Sequence, residues 1–157
     1  MDYSCKRRGE PMKNERISIS DAEWKVMRTL WTNPNITSQQ LINLLSLSTN
    51  WKAATIKTLL GRLVKKNFVV ATKSGSKYTY MTTIKESETI REVGEEFLAH
   101  ICRKQVGKTI VDWIQRSELS FNDIEEIQQA LTEKKADAVE EVMCHCEPGQ
   151  CHCCKWS

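Results

Sequence analysis

Between Cys144 and Cys154 five of the chain's seven cysteines fall within eleven positions, and no residue among them is apolar enough to build a core. A stretch of this kind keeps a shape only around something it binds. Cys144-His-Cys146 and Cys151-His-Cys153 are two Cys-x-Cys pairs four residues apart, with Pro148-Gly149 midway. Proline presets one φ of a type II turn and glycine tolerates the positive φ that follows, so the turn brings the pairs face to face. Four converging thiolates suit a closed tetrahedral Zn(II) site, and soft thiolates also select Cu(I). Cys144, Cys146, Cys151 and Cys153 are therefore the candidate metal ligands. His145 and His152 alternate with them and, in an extended segment, point the other way. Cys154 breaks the symmetry and stands outside the set of four.

The competing use of such cysteines is a disulfide cluster. The start, Met1-Asp-Tyr-Ser-Cys-Lys-Arg-Arg, is polar and basic, with no apolar leader or cleavage site, so the expected compartment is the reducing cytoplasm. Seven is an odd number, and in that compartment clustered cysteines go with metal more often than with bridges. No apolar run approaches the ~20 residues of a membrane helix, and no membrane role is expected.

A chain of 157 residues has room for one domain with a proper core or for two small ones. Its net charge of +3 conceals an asymmetry. Residues 1–82 hold 14 Lys/Arg against 5 Asp/Glu, whereas residues 83–143 hold 8 against 14. A basic part joined to an acidic part suggests that the first meets a polyanion.

Residues 1–16 are basic and poor in apolar side chains, and read as a disordered arm in which Cys5 is inert. Order is expected from Ser20-Asp-Ala-Glu23, a capping box ahead of Trp24, Met27, Leu30 and Trp31 on one helical face. A second box, Thr37-Ser-Gln-Gln40, opens a short helix carrying Leu41, Leu44 and Leu45. A third helix is expected over about 51–66, with Ile56, Leu59, Leu60 and Leu63 buried and Asn67 in a left-handed terminal position. Opposite that stripe lie Ala54, Lys57, Thr58, Gly61, Arg62 and Lys65, a small and basic face. Long cations reach phosphates or guanine edges, and small residues permit close approach in a major groove. An ordinary solvated face would also carry carboxylates, yet residues 51–82 contain none. The residues expected to meet DNA are Lys52, Ala54, Thr55, Lys57, Thr58, Arg62 and Lys65, with Lys77 at the tip of the hairpin that follows. That hairpin is expected from Phe68–Thr72 and Lys77–Thr82, turning at Lys73-Ser-Gly-Ser76.

Beyond it, Thr83-Ile-Lys-Glu86 is a candidate cap for a long helix bearing Ile90, Val93, Phe97, Leu98 and Ile101, with His100 and Cys102 as packed helical residues rather than ligands. The apolar phase slips near 103–106 and resumes at Ile110, Trp113 and Ile114. Ser120-Phe-Asn-Asp123 starts a last helix, followed by Ile127, Leu131, Val139 and Val142. Within the sequence nothing further is available to cover these stripes. Self-association is the economical answer, through Phe97, Ile101, Ile110, Trp113, Ile114, Ile127 and Leu131.

Three helices and a basic-tipped hairpin are the order of a winged helix-turn-helix. Trp51-Lys-Ala-Ala-Thr-Ile-Lys-Thr-Leu-Leu-Gly-Arg-Leu-Val-Lys-Lys66, with Ser20-Asp-Ala-Glu-Trp-Lys-Val-Met27 and Leu30-Trp31, resembles the penicillinase-repressor (BlaI/MecI-like) family of bacterial transcriptional regulators. The Cys-x-Cys-x4-Cys-x-Cys tail narrows the resemblance to its copper-responsive, CopY-type branch, and His100–Lys108 and the final helix extend it over nearly the whole chain beyond the arm. The fold class expected is mainly α with a small β-hairpin. Residues 17–82 would form the winged-helix DNA-binding domain, 83–143 a helical dimerisation region and 144–157 the metal-binding tail.

The resemblance implies a homodimeric repressor that, loaded with Zn(II), occupies an inverted-repeat operator in double-stranded DNA ahead of copper-export genes. Cu(I), with a copper chaperone as a candidate donor, would replace zinc and release it. Four thiolates retain the same net charge around one Zn²⁺ or two Cu⁺, so geometry rather than charge has to carry the switch. Three other classes compete: a thiol-redox regulator on the same DNA module, a metal buffer, and an antibiotic-responsive repressor ended by proteolysis. A buffer leaves the basic helix idle, and the last makes the tail redundant. An enzyme is not expected, because a four-thiolate site has no open coordination position and no catalytic set stands out.

Overall fold

The computed structural model describes residues 18–153, so the basic arm, Cys5 and Cys154 lie outside the described residues. Six helices and a small sheet follow one another: α1 Asp21–Thr32, β1 Ile36–Thr37, α2 Ser38–Ser48, α3 Ala53–Lys65, β2 Val69–Ser74, β3 Lys77–Thr82, α4 Glu86–Ala99, α5 Arg103–Arg116 and α6 Phe121–Lys134, with a last 3₁₀ turn at Lys135–Asp137. The chain divides into two compact units between Gly94 and Glu95.

In the first unit α1 and α2 start where their capping chemistry dictates. The hydroxyl of Ser20 accepts from the Glu23 N–H while the Glu23 carboxylate accepts from the Ser20 N–H, which satisfies two donors at the start of α1. Thr37 and Gln40 repeat the arrangement at α2. α3 begins at Ala53, two residues later than expected, with Lys52 at its N-cap. Its end is set by Asn67 at φ 62°, the left-handed conformation that asparagine tolerates. The hairpin closes on two residues, Gly75 and Ser76, with Gly75 at φ 62°.

The sheet has a third strand that the sequence reading did not anticipate. β1 pairs antiparallel with β3, placing Ile36 opposite Tyr80 and Thr37 opposite Thr79, so the order is β1-β3-β2. β1 is only two residues long, too short for an alternating pattern to register.

The core lies where the three helices meet the sheet. Val26, Met27 and Leu30 of α1, Leu41, Ile42 and Leu45 of α2, Ile56, Leu59, Leu60 and Leu63 of α3, Ile36 of β1 and Val69 of β2 form one buried cluster. Each such side chain contributes roughly 1.5–3 kcal/mol. Trp31 rests on this cluster and donates its ring N–H to the Ile84 carbonyl at 2.9 Å, tying the segment after the hairpin to α1. Thr83 does not cap α4: its hydroxyl donates to the Asn67 carbonyl at 2.6 Å instead.

In the second unit the long helix expected after the hairpin is interrupted. His100, Ile101 and Cys102 lie in a break between α4 and α5, with Cys102 at the N-cap of α5. The placement of His100, Ile101 and Cys102 inside a helix is thereby corrected. The break contains neither glycine nor proline, which is why only a slip in phase marks it in the sequence. Val139 and Val142 also lie beyond the last helix, because α6 ends at Lys134. Neither α5 nor α6 buries a single residue, and Phe97, Ile110, Trp113 and Leu131 are exposed.

Candidate metal centre and nucleic-acid interface

The eight residues expected to meet DNA occupy one surface region type: Lys52, Ala54, Thr55, Lys57, Thr58, Arg62, Lys65 and Lys77 are all exposed, while the interleaved Ile56, Leu59, Leu60 and Leu63 are buried. The division follows from the 3.6-residue period of α3. Thr58 donates its hydroxyl to the Ala54 carbonyl at 2.9 Å, so it offers a groove a methyl group and an acceptor rather than a donor. At Gly61 a Cβ would meet nothing within 4 Å. Packing inside the chain therefore does not require glycine there.

One cation of this stretch is withdrawn from the surface role. Lys66 reaches back to the Glu23 carboxylate at 2.8 Å and to the Ser18 carbonyl at 2.7 Å. Burial pushes the Glu23 carboxyl up, but the Lys66 bond, the Ser20 N–H, the Lys66 charge and the Ser20 hydroxyl together hold it below the usual carboxylate value. The acid-free stretch is longer than the 51–82 segment first considered: no Asp or Glu stands between Glu23 and Glu86.

In the second unit the tail thiols converge. The sulfurs of Cys144 and Cys151 are 3.4 Å apart and those of Cys151 and Cys153 are 2.7 Å apart, and all are free thiols. Gly149 sits at φ 85°, the positive φ expected of the turn between the pairs. The Cys146 N–H donates to the Cys144 sulfur at 3.4 Å. The Cys144 thiol is drawn down to about 5, first by the Cys153 thiol and then by that N–H. Cys151 is likewise lowered, by Cys153 above all. Burial raises Cys146 and the Cys144 thiol adds to it, and Cys153 is raised mainly by Cys144. Such a cluster shares its protons unevenly, with some sulfurs ready to bind a cation and the others losing protons as it enters.

A further sulfur joins them. Cys102, Cys144, Cys146 and Cys151 place their ligand atoms within 4.8 Å of one another. The donor set is all thiol, which fits Zn(II) or Cu(I) and does not fit the hard, oxygen-seeking cations. Sequence reasoning missed Cys102 because it took the α4–α5 break for helix; the available signal was the phase slip next to a seventh thiol.

Residues 19–133 match the family model described as the penicillinase repressor. The chain belongs to that family. This repressor is 32% identical to the penicillinase repressor of Bacillus licheniformis over 74% of its own length and 91% of the other. It is 27% identical to the methicillin resistance regulatory protein MecI of Staphylococcus aureus, over 78% of this chain and all of MecI. An uncharacterized 16.5 kDa protein of Latilactobacillus sakei is 40% identical over 90% of this chain and 97% of that one. Among solved structures, the DNA-binding domain of the repressor BlaI covers 49% of this chain at 38% identity with a TM-score of 0.43. The Bacillus licheniformis BlaI monomer in complex with the blaP half-operator covers 47% at 36% identity, also with a TM-score of 0.43. This repressor is thus a transcriptional regulator and not an enzyme. The family match ends before Cys144, so the two Cys-x-Cys pairs lie beyond the part the family model describes, while Cys102 lies within it. Among the described residues, no helix is long and apolar enough to cross a membrane.

Proposed function

We propose that this repressor is a copper sensor: a homodimer that, with Zn(II) in its thiol cluster, binds an inverted-repeat operator of copper-export genes through α3 and the hairpin tip, and lets go when Cu(I) replaces zinc. The observation that carries the reading is the convergence of free thiols from the two Cys-x-Cys pairs, in a family repressor whose matched region stops short of them. Bound there, a d¹⁰ cation supplies a cross-link between the pairs. The chain's own residues do the rest.

On DNA, Arg62 is placed to reach a base edge or a phosphate, and Ala54 and Gly61 leave room for close approach. Lys52, Lys57, Lys65 and Lys77 are assigned to phosphates, with Thr55 and Thr58 on the same face. The BlaI monomer was solved on a half-operator, and a two-fold dimer on two half-sites follows the usual geometry of helix-turn-helix repressors. The apolar side chains left uncovered on α4, α5 and α6, with Phe97, Ile110, Trp113 and Leu131 exposed and Ile101, Ile114 and Ile127 half-buried, are assigned to the partner protomer. A copper chaperone is a suitable Cu(I) donor, with the exposed Cys153 as the point at which ligand exchange would begin.

The test is an anaerobic gel-shift titration on the DNA upstream of the protein's own gene, with Zn(II) and then Cu(I) added under reducing conditions. Cu(I) should release the parent protein and leave the variant with Ser at Cys144, Cys146, Cys151 and Cys153 unaffected. Release by oxidants alone would replace the copper reading with a thiol-redox one.

A further inference from the structure

Cys102 belongs to neither Cys-x-Cys pair and stands 42 positions before Cys144, yet its sulfur is 3.7 Å from that of Cys144 and 3.6 Å from that of Cys153. Sulfurs around one tetrahedral Zn(II) at bonds of ~2.3 Å are about 3.8 Å apart. The separations from Cys102 to Cys144 and to Cys153 are close to that edge and that between Cys144 and Cys151 is shorter, but the set whose sulfurs all lie within 4.8 Å of one another is Cys102, Cys144, Cys146 and Cys151, without Cys153. At 2.7 Å the sulfurs of Cys151 and Cys153 are too close to serve as two corners of the same tetrahedron without moving apart.

The backbone explains how Cys102 arrives there. It is the N-cap of α5, with φ −58° and ψ 132°, and its side chain makes no capping bond to the helix. The break before α5 thus turns the thiol out of the helical path. A cleft of about 600 Å³ lies at this point, lined by Ile101 and Cys102 from the break, Arg103 at the start of α5, and His145, Cys146 and Glu147 from the tail. Lys104, the residue after Arg103, forms an ion pair with Glu141 just ahead of the tail.

We propose that Cys102 is a metal ligand, completing with Cys144, Cys146 and Cys151 the four-thiolate set that holds Zn(II) and fastening the loaded tail to the start of α5. The proposal rests on the metal-sensing reading of the tail and changes its ligand set: Cys153 becomes the outlying sulfur. Because α5 carries Ile110 and Trp113, whatever rearranges the ligands then acts on the helix whose apolar face is exposed.

The experiment uses the full-length reduced chain with Co(II) as a spectroscopic probe and Zn(II) in competition with a chromophoric chelator. Cys102→Ser should lose about a quarter of the thiolate-to-Co(II) charge-transfer intensity, one sulfur in four, and bind Zn(II) weaker by roughly tenfold or more, since even outer-shell partners are worth 10–100-fold. Cys153→Ser should keep the band, and Cys102→His should restore four-coordinate binding with a shifted ligand-field spectrum. Zn(II) should also shield Cys102 of the unmutated chain from iodoacetamide, read by peptide mass spectrometry, which decides the matter even if Cys102→Ser folds poorly. A Cys102→Ser spectrum and Zn(II) affinity equal to the parent's, or alkylation of Cys102 at the same rate with and without Zn(II), overturns the proposal. The variant with Ser at Cys144, Cys146, Cys151 and Cys153 separates the two levels: if it still holds Zn(II), the reading of the tail fails; if it loses Zn(II) while Cys102→Ser does not, only the role of Cys102 fails.

Discussion

The Glu23 carboxylate, almost fully buried in the capping box of α1, lies 2.8 Å from the ammonium of Lys66, the residue that caps the end of α3. One side chain thus closes the start of one helix and holds the end of another.

Glu23→Gln keeps the shape but removes the charge, and should destabilise the first unit by roughly 1–2 kcal/mol, the lower part of the range because Lys66 is partly exposed. The folded carboxyl titrates below its ordinary value, so its contribution is present above the unfolded pKa and is lost as pH falls through the folded one. The parent's advantage over Glu23→Gln should therefore be full above the ordinary carboxylate range and shrink as pH falls through and below it. Urea melts of both proteins across that range check it; a constant gap would assign the effect to packing.

Gly61→Ala tests what glycine is for on α3. Nothing within 4 Å opposes the new methyl group, so the helix should gain about 0.5–1 kcal/mol. Operator affinity should nevertheless fall, because the methyl group intrudes where the groove wall approaches. A variant that is stabler and binds equally well removes Gly61 from the interface.

Arg62→Ala should weaken binding to the operator more than to unrelated DNA, whereas Lys65→Ala and Lys77→Ala should weaken both and lower the salt slope by ~1 each. Fluorescence anisotropy at several salt concentrations distinguishes the two behaviours. Identical slopes for parent and lysine variants would take those residues off the phosphates.

Trp113→Asp and Leu131→Asp place charge on exposed positions of α5 and α6, neither of which has a buried residue. Each should convert the proposed dimer to monomer in sedimentation equilibrium with the far-ultraviolet spectrum little changed. Half-site binding should survive and full-operator affinity drop. A dimer in both variants would locate the interface elsewhere.

Chelation offers a further test of independence. The core of the first unit runs from Val26 to Val69 and contains no cysteine, so stripping metal should leave its melting temperature unchanged, unlike a zinc finger. Differential scanning calorimetry with and without chelator measures this directly.

The first unit was legible in the sequence because α1 and α2 announce their starts by capping boxes and α3 announces itself by its apolar stripe. Ser20 and Glu23, then Thr37 and Gln40, mark starts by chemistry that is local, and the Ile56, Leu60 and Leu63 stripe repeats at the helical period. β1 was hidden because two residues carry no period. The α4–α5 break was hidden for a different reason: His100-Ile-Cys102 contains no residue that forbids a helix, so only tertiary placement reveals it. The Cys144–Cys153 set could be proposed because its spacing is short. Cys102 could not, since its nearness to Cys144 depends on how α5, α6 and the 3₁₀ turn lead the chain back.

The absence of Asp and Glu between Glu23 and Glu86 has a thermodynamic side. Ten cations occupy that span, and Glu23, the one carboxylate preceding it in α1 with a partner there, is already taken by Lys66. The first unit folds against its own repulsion, so added salt, sulfate or any polyanion should raise its melting point by screening or by binding. On the proposed function, DNA phosphates would supply the counter-charge that residues 24–85 lack, and occupancy of the operator and stability of the fold would be linked equilibria, each favouring the other.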